Sequence, residues 1–163
     1  MVLTESEIFT RLIMAAFIGA IIGAERQIHK RPAGMRTHGL ICVGATLFTI
    51  ISGFYDQDPA RISAGIVTGI GFLAAGVVFR SEKHLQGITT AAEIWVLAAI
   101  GIAIGAGLYY AAIATAIIVL VLLVPGVSLE QDVEKIAEKK NALIDMGRKR
   151  IDKTVVRKKQ QAD

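Results

Sequence analysis

The chain has 163 residues, 53% of them hydrophobic, and a formal net charge of +4. A soluble domain of this size builds its core without long uninterrupted apolar runs, and this chain has several, which excludes an ordinary soluble fold. Ten of the eighteen Lys and Arg lie beyond residue 130 with no aromatics among them, a distribution that suits a tail on an anionic membrane leaflet and not a nucleic-acid reader.

The N-terminus opens with acidic residues, Glu5 and Glu7, where a secretory leader would be basic, and the apolar run that follows approaches the ~20 residues needed to cross a bilayer. It is therefore expected to be a retained first span, residues 8–24, with Arg11 in its first turn snorkelling to the interface. Further spans are expected at 39–54, 62–79, 88–104 and 108–124. The second and third are short for a full crossing, and Gly105-Ala106-Gly107 leaves room only for a tight hairpin between the last two. Cys42 is the only cysteine, so no intrachain disulfide forms, and in its apolar run it reads as a small hydrophobe.

Between the first two spans lies GAERQIHKRPAGMRTH, residues 23–38, a basic loop that the positive-inside bias places in the cytoplasm. The N-terminus, the 55–61 loop and the 105–107 turn then fall outside, and the 80–87 loop and the C-terminal tail fall inside. Inside segments carry four, two and ten Lys or Arg, whereas outside segments carry Arg61, with Arg11 near the outer boundary. Phe54, Tyr55, Tyr109 and Tyr110 collect on the outer side, as an aromatic belt does. The expected fold is an all-α integral membrane protein with five transmembrane helices, its N-terminus outside and its C-terminus cytoplasmic.

Gly19 and Gly23, Gly65 and Gly69, and Gly101 and Gly105 form three small-xxx-small pairs on three spans, notches that let helix backbones approach closely in lipid. They predict a tight bundle or a homo-oligomer face. Gly23, Lys30, Gly34 and Thr37 also recur as Gly76, Lys83, Gly87 and Thr90 at one constant offset, the trace of a parallel duplication of helix pairs. Pro125-Gly126 closes the membrane domain, residues 1–126. In the tail, 127–163, apolar residues from Val133 to Val155 recur at helical spacing among Lys and Arg, which predicts an amphipathic helix on the membrane or against a partner.

Glu93 is the outstanding polar residue. If its helix starts near Ile88, it lies roughly 7–8 Å below the inner boundary at ~1.5 Å per residue. A carboxylate there costs a few kcal/mol unless paired, protonated or wetted. The residues that can reach it from the same leaflet are Arg26, Arg36, His38, Arg80, Thr89 and Thr90. Glu25 and Arg26, adjacent on a helix, are expected to face different partners. His29 and His38, nine residues apart without helical ligand spacing, are not expected to hold a metal. Arg31-Pro32-Ala33-Gly34 reads as a turn and not a phosphate loop. No nucleophile–base pair or cofactor motif is present, so neither an enzyme nor a cofactor is expected.

GAERQ, RPAGMRTH, DPARI, GIGFLAAGVVFR and GITTAAEIWVLAAIGIAIGAGLYYAA, in that order across residues 8–124, resemble the MgtC/SapB family. The resemblance implies a bacterial inner-membrane protein with about five spans, associated with growth in low magnesium and, in pathogens, with survival inside host cells. It implies a regulator of other membrane proteins more than a carrier. Several members continue into a soluble C-terminal domain resembling an ACT fold, so this chain is expected to be a short form. Carried over to this sequence, the resemblance makes Glu25, Arg26, Arg36, Thr37, Thr89, Thr90 and Glu93 the candidate functional constellation.

Two functions follow. One is a non-enzymatic regulator acting through helix contacts with another integral membrane protein. The other is a small oligomeric Mg²⁺ or ion transporter built around Glu93, although one acid per protomer makes a poor path for an ion that gives up its water reluctantly. A Glu93 packed against an arginine in a dry bundle favours the first, and a Glu93 opening onto a cavity across the membrane favours the second.

Overall fold

A computed structural model describes residues 3–55, 59–80 and 85–123. Five helices make up the fold: α1 (Glu5–Ile28), α2 (Met35–Ser52), α3 (Pro59–Gly76), α4 (Ile88–Gly105) and α5 (Tyr109–Leu123). A short ladder, β1 (Phe79–Arg80) paired antiparallel with β2 (Leu85–Gln86), is the only strand pairing among the described residues. The expected tail helix lies outside the described residues, as do Lys83 of the internal repeat and residues 56–58 of the loop before α3.

The helix ends follow capping chemistry more closely than hydropathy. Thr4 and Glu7 form a reciprocal capping box, with the Thr4 amide donating to Glu7 Oε2 at 2.8 Å and the Glu7 amide donating to Thr4 Oγ1. This starts α1 at Glu5, three residues before the expected boundary, and puts Glu5 and Glu7 at the positive end of the helix dipole. Likewise α2 begins at Met35 instead of residue 39, because Arg36 and Thr37 can occupy an exposed first turn without leaving the helix. Gly34 and Gly87 are the N-caps of α2 and α4, so both Gly-x-x-Thr stretches of the repeat open a helix. Gly87 is at φ 88°, and a Cβ there would collide with the Val77 carbonyl, so this position requires glycine.

Helix α2 is the centre of the bundle. Gly19 and Gly23 of α1 meet His38 and Met35, so α1 and α2 run antiparallel; Gly101 and Gly105 of α4 meet Cys42 and Thr49, so α2 and α4 run parallel. Virtual Cβ atoms at these four glycines fall 2.6–2.7 Å from α2 atoms, well inside van der Waals contact. Across the middle of the pair, Thr46 Oγ1 donates to the Gly101 carbonyl at 2.9 Å. The core consists of Ala15, Ile22, Cys42, Leu97, Ile100, Ile104, Ala112 and Ala116, with a second cluster, Ala45, Ile70, Ala74, Ile94 and Ala98, where α3 meets α2 and α4. Two of the three expected notches are thus filled. The third is not: Gly65 and Gly69 of α3 have nothing within 4 Å and line an open apolar groove of about 580 Å³ with Leu40, Phe48 and Leu73.

Arg11 also departs from expectation. The early start of α1 puts it in the second turn, where it is only 4% exposed. Its Nη1 donates to the Gly105 carbonyl, and its guanidinium lies 5.7 Å from the Tyr109 ring centroid. The side chain does not snorkel; it satisfies a carbonyl that the end of α4 leaves without an intrahelical donor.

Phe9, Phe17, Leu40, Phe48, Phe72, Trp95 and Tyr110 are among the many large apolar side chains left on the outside. Water would disfavour such a surface and lipid would not. Helices α1, α2 and α4 are long and apolar enough to cross a membrane, and 60–76 and 109–123 are shorter apolar helices. Replacing Gly105 by Leu should overpack the α2–α4 contact and lower stability by about 1–3 kcal/mol. Gly69→Leu should leave stability unchanged or slightly raised, because leucine is the better helix former and the groove is open. Thermal unfolding of the two variants in detergent checks the contrast.

Candidate functional site

At the end of the bundle where α1 turns into α2, four buried polar side chains from three helices meet. Glu25 and Arg26 come from the last turns of α1, His38 from the start of α2, and Glu93 from the second turn of α4. Each is at most 9% exposed, and His38 is fully buried. Arg26 donates from Nε to Glu25 Oε2 and from Nη2 to Glu25 Oε1 at 2.9 Å, a fork closed on a carboxylate. Its Nε also lies 3.7 Å from Glu93 Oε2. The expectation that Glu25 and Arg26 would face different partners is therefore corrected. Their Cα atoms diverge on the helix, but the long arginine stem folds back far enough to reach its neighbour while the head still borders Glu93.

His38 supplies the remaining contacts. Its Nδ1 is 3.1 Å from the Gly34 carbonyl and its Nε2 is 3.1 Å from Glu93 Oε1. A carbonyl only accepts, so Nδ1 carries a hydrogen. Two lone pairs facing each other at Nε2 and Oε1 would repel, so a further proton sits between ring and carboxyl. It is either on Nε2 against a carboxylate or on Glu93 against a neutral ring. The His38–Glu93 pair is neutral either way, and so is Glu25–Arg26. The four-residue cluster balances its own charge inside the bundle, which is what burial away from water demands. His29, an exposed residue, closes the outer side with Nδ1 2.9 Å from the Glu25 carbonyl and 3.0 Å from its Oε1.

The structure brings together Glu25, Arg26 and Glu93 of the expected constellation. Thr90 is buried one turn before Glu93 on α4. Arg36, Thr37 and Thr89 are exposed instead, because the first turns of α2 and α4 turn these positions away from the helix contacts. His38, among the candidate partners of Glu93 but outside the constellation carried over from the resemblance, is the residue that joins α2 to it. The sign of this in the sequence was its position at the inner end of the second span, in the same leaflet as Glu93. Thr46 gave no sign at all, since a threonine in an apolar helix is unremarkable until its partner carbonyl is known. Among the described residues no three His, Cys, Asp or Glu converge as metal ligands.

Residues 12–131 match the model of the MgtC family. The chain belongs to the MgtC family. It is 44% identical over 128 residues to the "Putative magnesium transporter YhiD" of Escherichia coli (strain K12), covering 72% of this chain and 60% of that protein. It is 46% identical over 110 residues to the "Protein MgtC" of Brucella abortus (strain 2308), covering 66% of this chain and 46% of that protein. The "Protein MgtC" of Salmonella typhimurium (strain LT2) is also 46% identical over 110 residues, covering 67% of this chain and 48% of that protein. The chain thus spans between about half and three-fifths of these curated relatives. No solved structure matches it.

The pairing of His38 with Glu93 is checked by a double-mutant cycle in detergent. Glu93→Ala or His38→Ala alone leaves a buried polar partner stranded and should destabilise by about 3–5 kcal/mol. The double variant should cost less than the sum of the singles by about 0.5–3 kcal/mol.

Proposed function

We propose that this MgtC-family membrane protein is a non-enzymatic regulator of other integral membrane proteins, serving adaptation to low magnesium in the bacterial cytoplasmic membrane. The observation that carries the reading is the closed state of the Glu93 cluster. Its Oε1 lies 3.1 Å from His38 Nε2 and its Oε2 3.7 Å from Arg26 Nε, and its side chain is only 2% exposed. A site for Mg²⁺ needs several oxygen ligands and keeps much of the ion's water, whereas here both carboxyl groups are taken up by basic partners, Glu25 by Arg26 and Glu93 by His38, in a buried cluster. The two cavities described in the bundle are lined by other residues. The unfilled Gly65–Gly69 notch on α3 adds support, since such notches serve contacts between membrane helices. In this reading the N-terminus faces outward and the 29–34 loop faces the cytoplasm, following the bias of Lys and Arg.

Transport is the second reading. It is favoured by Glu93 Oε2, a buried oxygen without a hydrogen bond, and by the name that YhiD carries.

Magnesium uptake into proteoliposomes separates the two. The regulator reading expects no uptake above empty vesicles for either wild type or Glu93→Gln, while the wild-type gene restores low-magnesium growth to a strain lacking its own copy. Robust uptake that Glu93→Gln abolishes would overturn it in favour of transport.

A further inference from the structure

The opposite end of the bundle holds a second buried charge that the Glu93 cluster does not use. Arg11 and Arg26 are fifteen residues apart on α1, roughly 22 Å along the axis at ~1.5 Å per residue. Arg11 is 96% buried and permanently charged. Among the described residues it forms no ion pair with a carboxylate. Its Nη1 takes the Gly105 carbonyl, but its Nε has no hydrogen-bond acceptor. Glu7, one turn earlier on α1, and the negative end of the α4 dipole offset part of the charge without a direct ion pair, and the unbonded Nε remains.

Arg11 lines a cavity of about 290 Å³ between α1, α2, α3 and α4. Thr49, Ser52 and Ser63 contribute hydroxyls to its wall, and Ile50 and Phe54 are among its apolar members. Thr49 and Ser52 already donate to the carbonyls of Ala45 and Thr49, at 2.8 and 2.7 Å, so the guanidinium is the strong donor that faces this space. A cationic head that pairs with no carboxylate among the described residues, at one end of a membrane bundle and lining a mostly apolar hollow, matches an oxyanion that carries an apolar body.

We propose that Arg11 and this cavity bind a phosphate group, and the apolar walls favour a phospholipid headgroup over free phosphate as its source. The phosphate pairs with the Arg11 guanidinium, and the glycerol and first acyl carbons lie against Ile50 and Phe54. The bound lipid completes the charge balance at this end of the bundle, as His38 and Glu25 do at the other.

The test uses the full chain, delipidated in detergent, with unfolding temperature read against added phosphatidylglycerol, inorganic phosphate or diacylglycerol, which has the apolar body without the phosphate. Phosphatidylglycerol should raise the wild-type unfolding temperature and diacylglycerol should not. The rise should be at least halved in Arg11→Gln and in Ser63→Leu. The second variant fills the cavity while keeping the Arg11–Gly105 bond, so it reports on the site even if Arg11→Gln folds poorly. A rise with inorganic phosphate alone, lost in both variants, would support the phosphate site and assign it to the free ion. No rise with either phosphate source, an equal rise with diacylglycerol, or a rise unchanged in Ser63→Leu would overturn the proposal.

Discussion

Much of this structure depends on how closely α2 can approach α1. Gly19 and Gly23 present no side chain where the His38 carbonyl and Cβ pass, and a Cβ at Gly19 would lie 2.7 Å from that carbonyl oxygen. Where lipid surrounds the bundle, apolar burial gives helices little reason to associate, so packing distance and interhelical hydrogen bonds carry the assembly. The glycine notches set that distance. They seat His38 within reach of Glu93, and without that seat the carboxyl on α4 would be buried with only a distant arginine for company.

The same logic operates twice along the bundle. At the loop end, Glu25, Arg26, His38 and Glu93 cancel one another's charge. At the far end, Arg11 meets the last carbonyl of α4 and the Tyr109 ring but no carboxylate. Between them lie the Thr46–Gly101 hydrogen bond and a core of isoleucine, leucine and alanine. The charged groups therefore sit near the two ends, where desolvation costs least, and apart from Thr46 the mid-section is left mostly to small and branched apolar side chains. Helix α3 stands apart from this scheme. Most of its surface is exposed, and its own glycine pair is unfilled.

This division bears on function. A buried cluster that hydrogen-bonds α2 to α4 and sets an arginine of α1 beside them is suited to holding a register. Loss of either partner of the His38–Glu93 pair would loosen α2 against α4. A regulator that works through helix contacts can use such a lock without moving any ion along it.

Hydropathy and charge bias were enough to read five helices and Glu93 as a carboxyl needing a partner, because apolar length and the cost of a buried charge are properties of composition; the family was legible only in its ordered motifs. The pairing itself was decided by tertiary structure. Arg26 and His38 stood among several candidates from the same end, and only the register of α2 against α1 and α4 separates them from the exposed Arg36 and Thr89. The reversal at Arg11 has the same origin. A long basic side chain near a span's end ordinarily reaches for the interface, and nothing local shows that the last carbonyl of α4 lies within its grasp. Even the filled and unfilled glycine pairs are alike as sequence. Which notch receives a neighbouring backbone depends on where that backbone passes, and that is settled only when the helices are assembled.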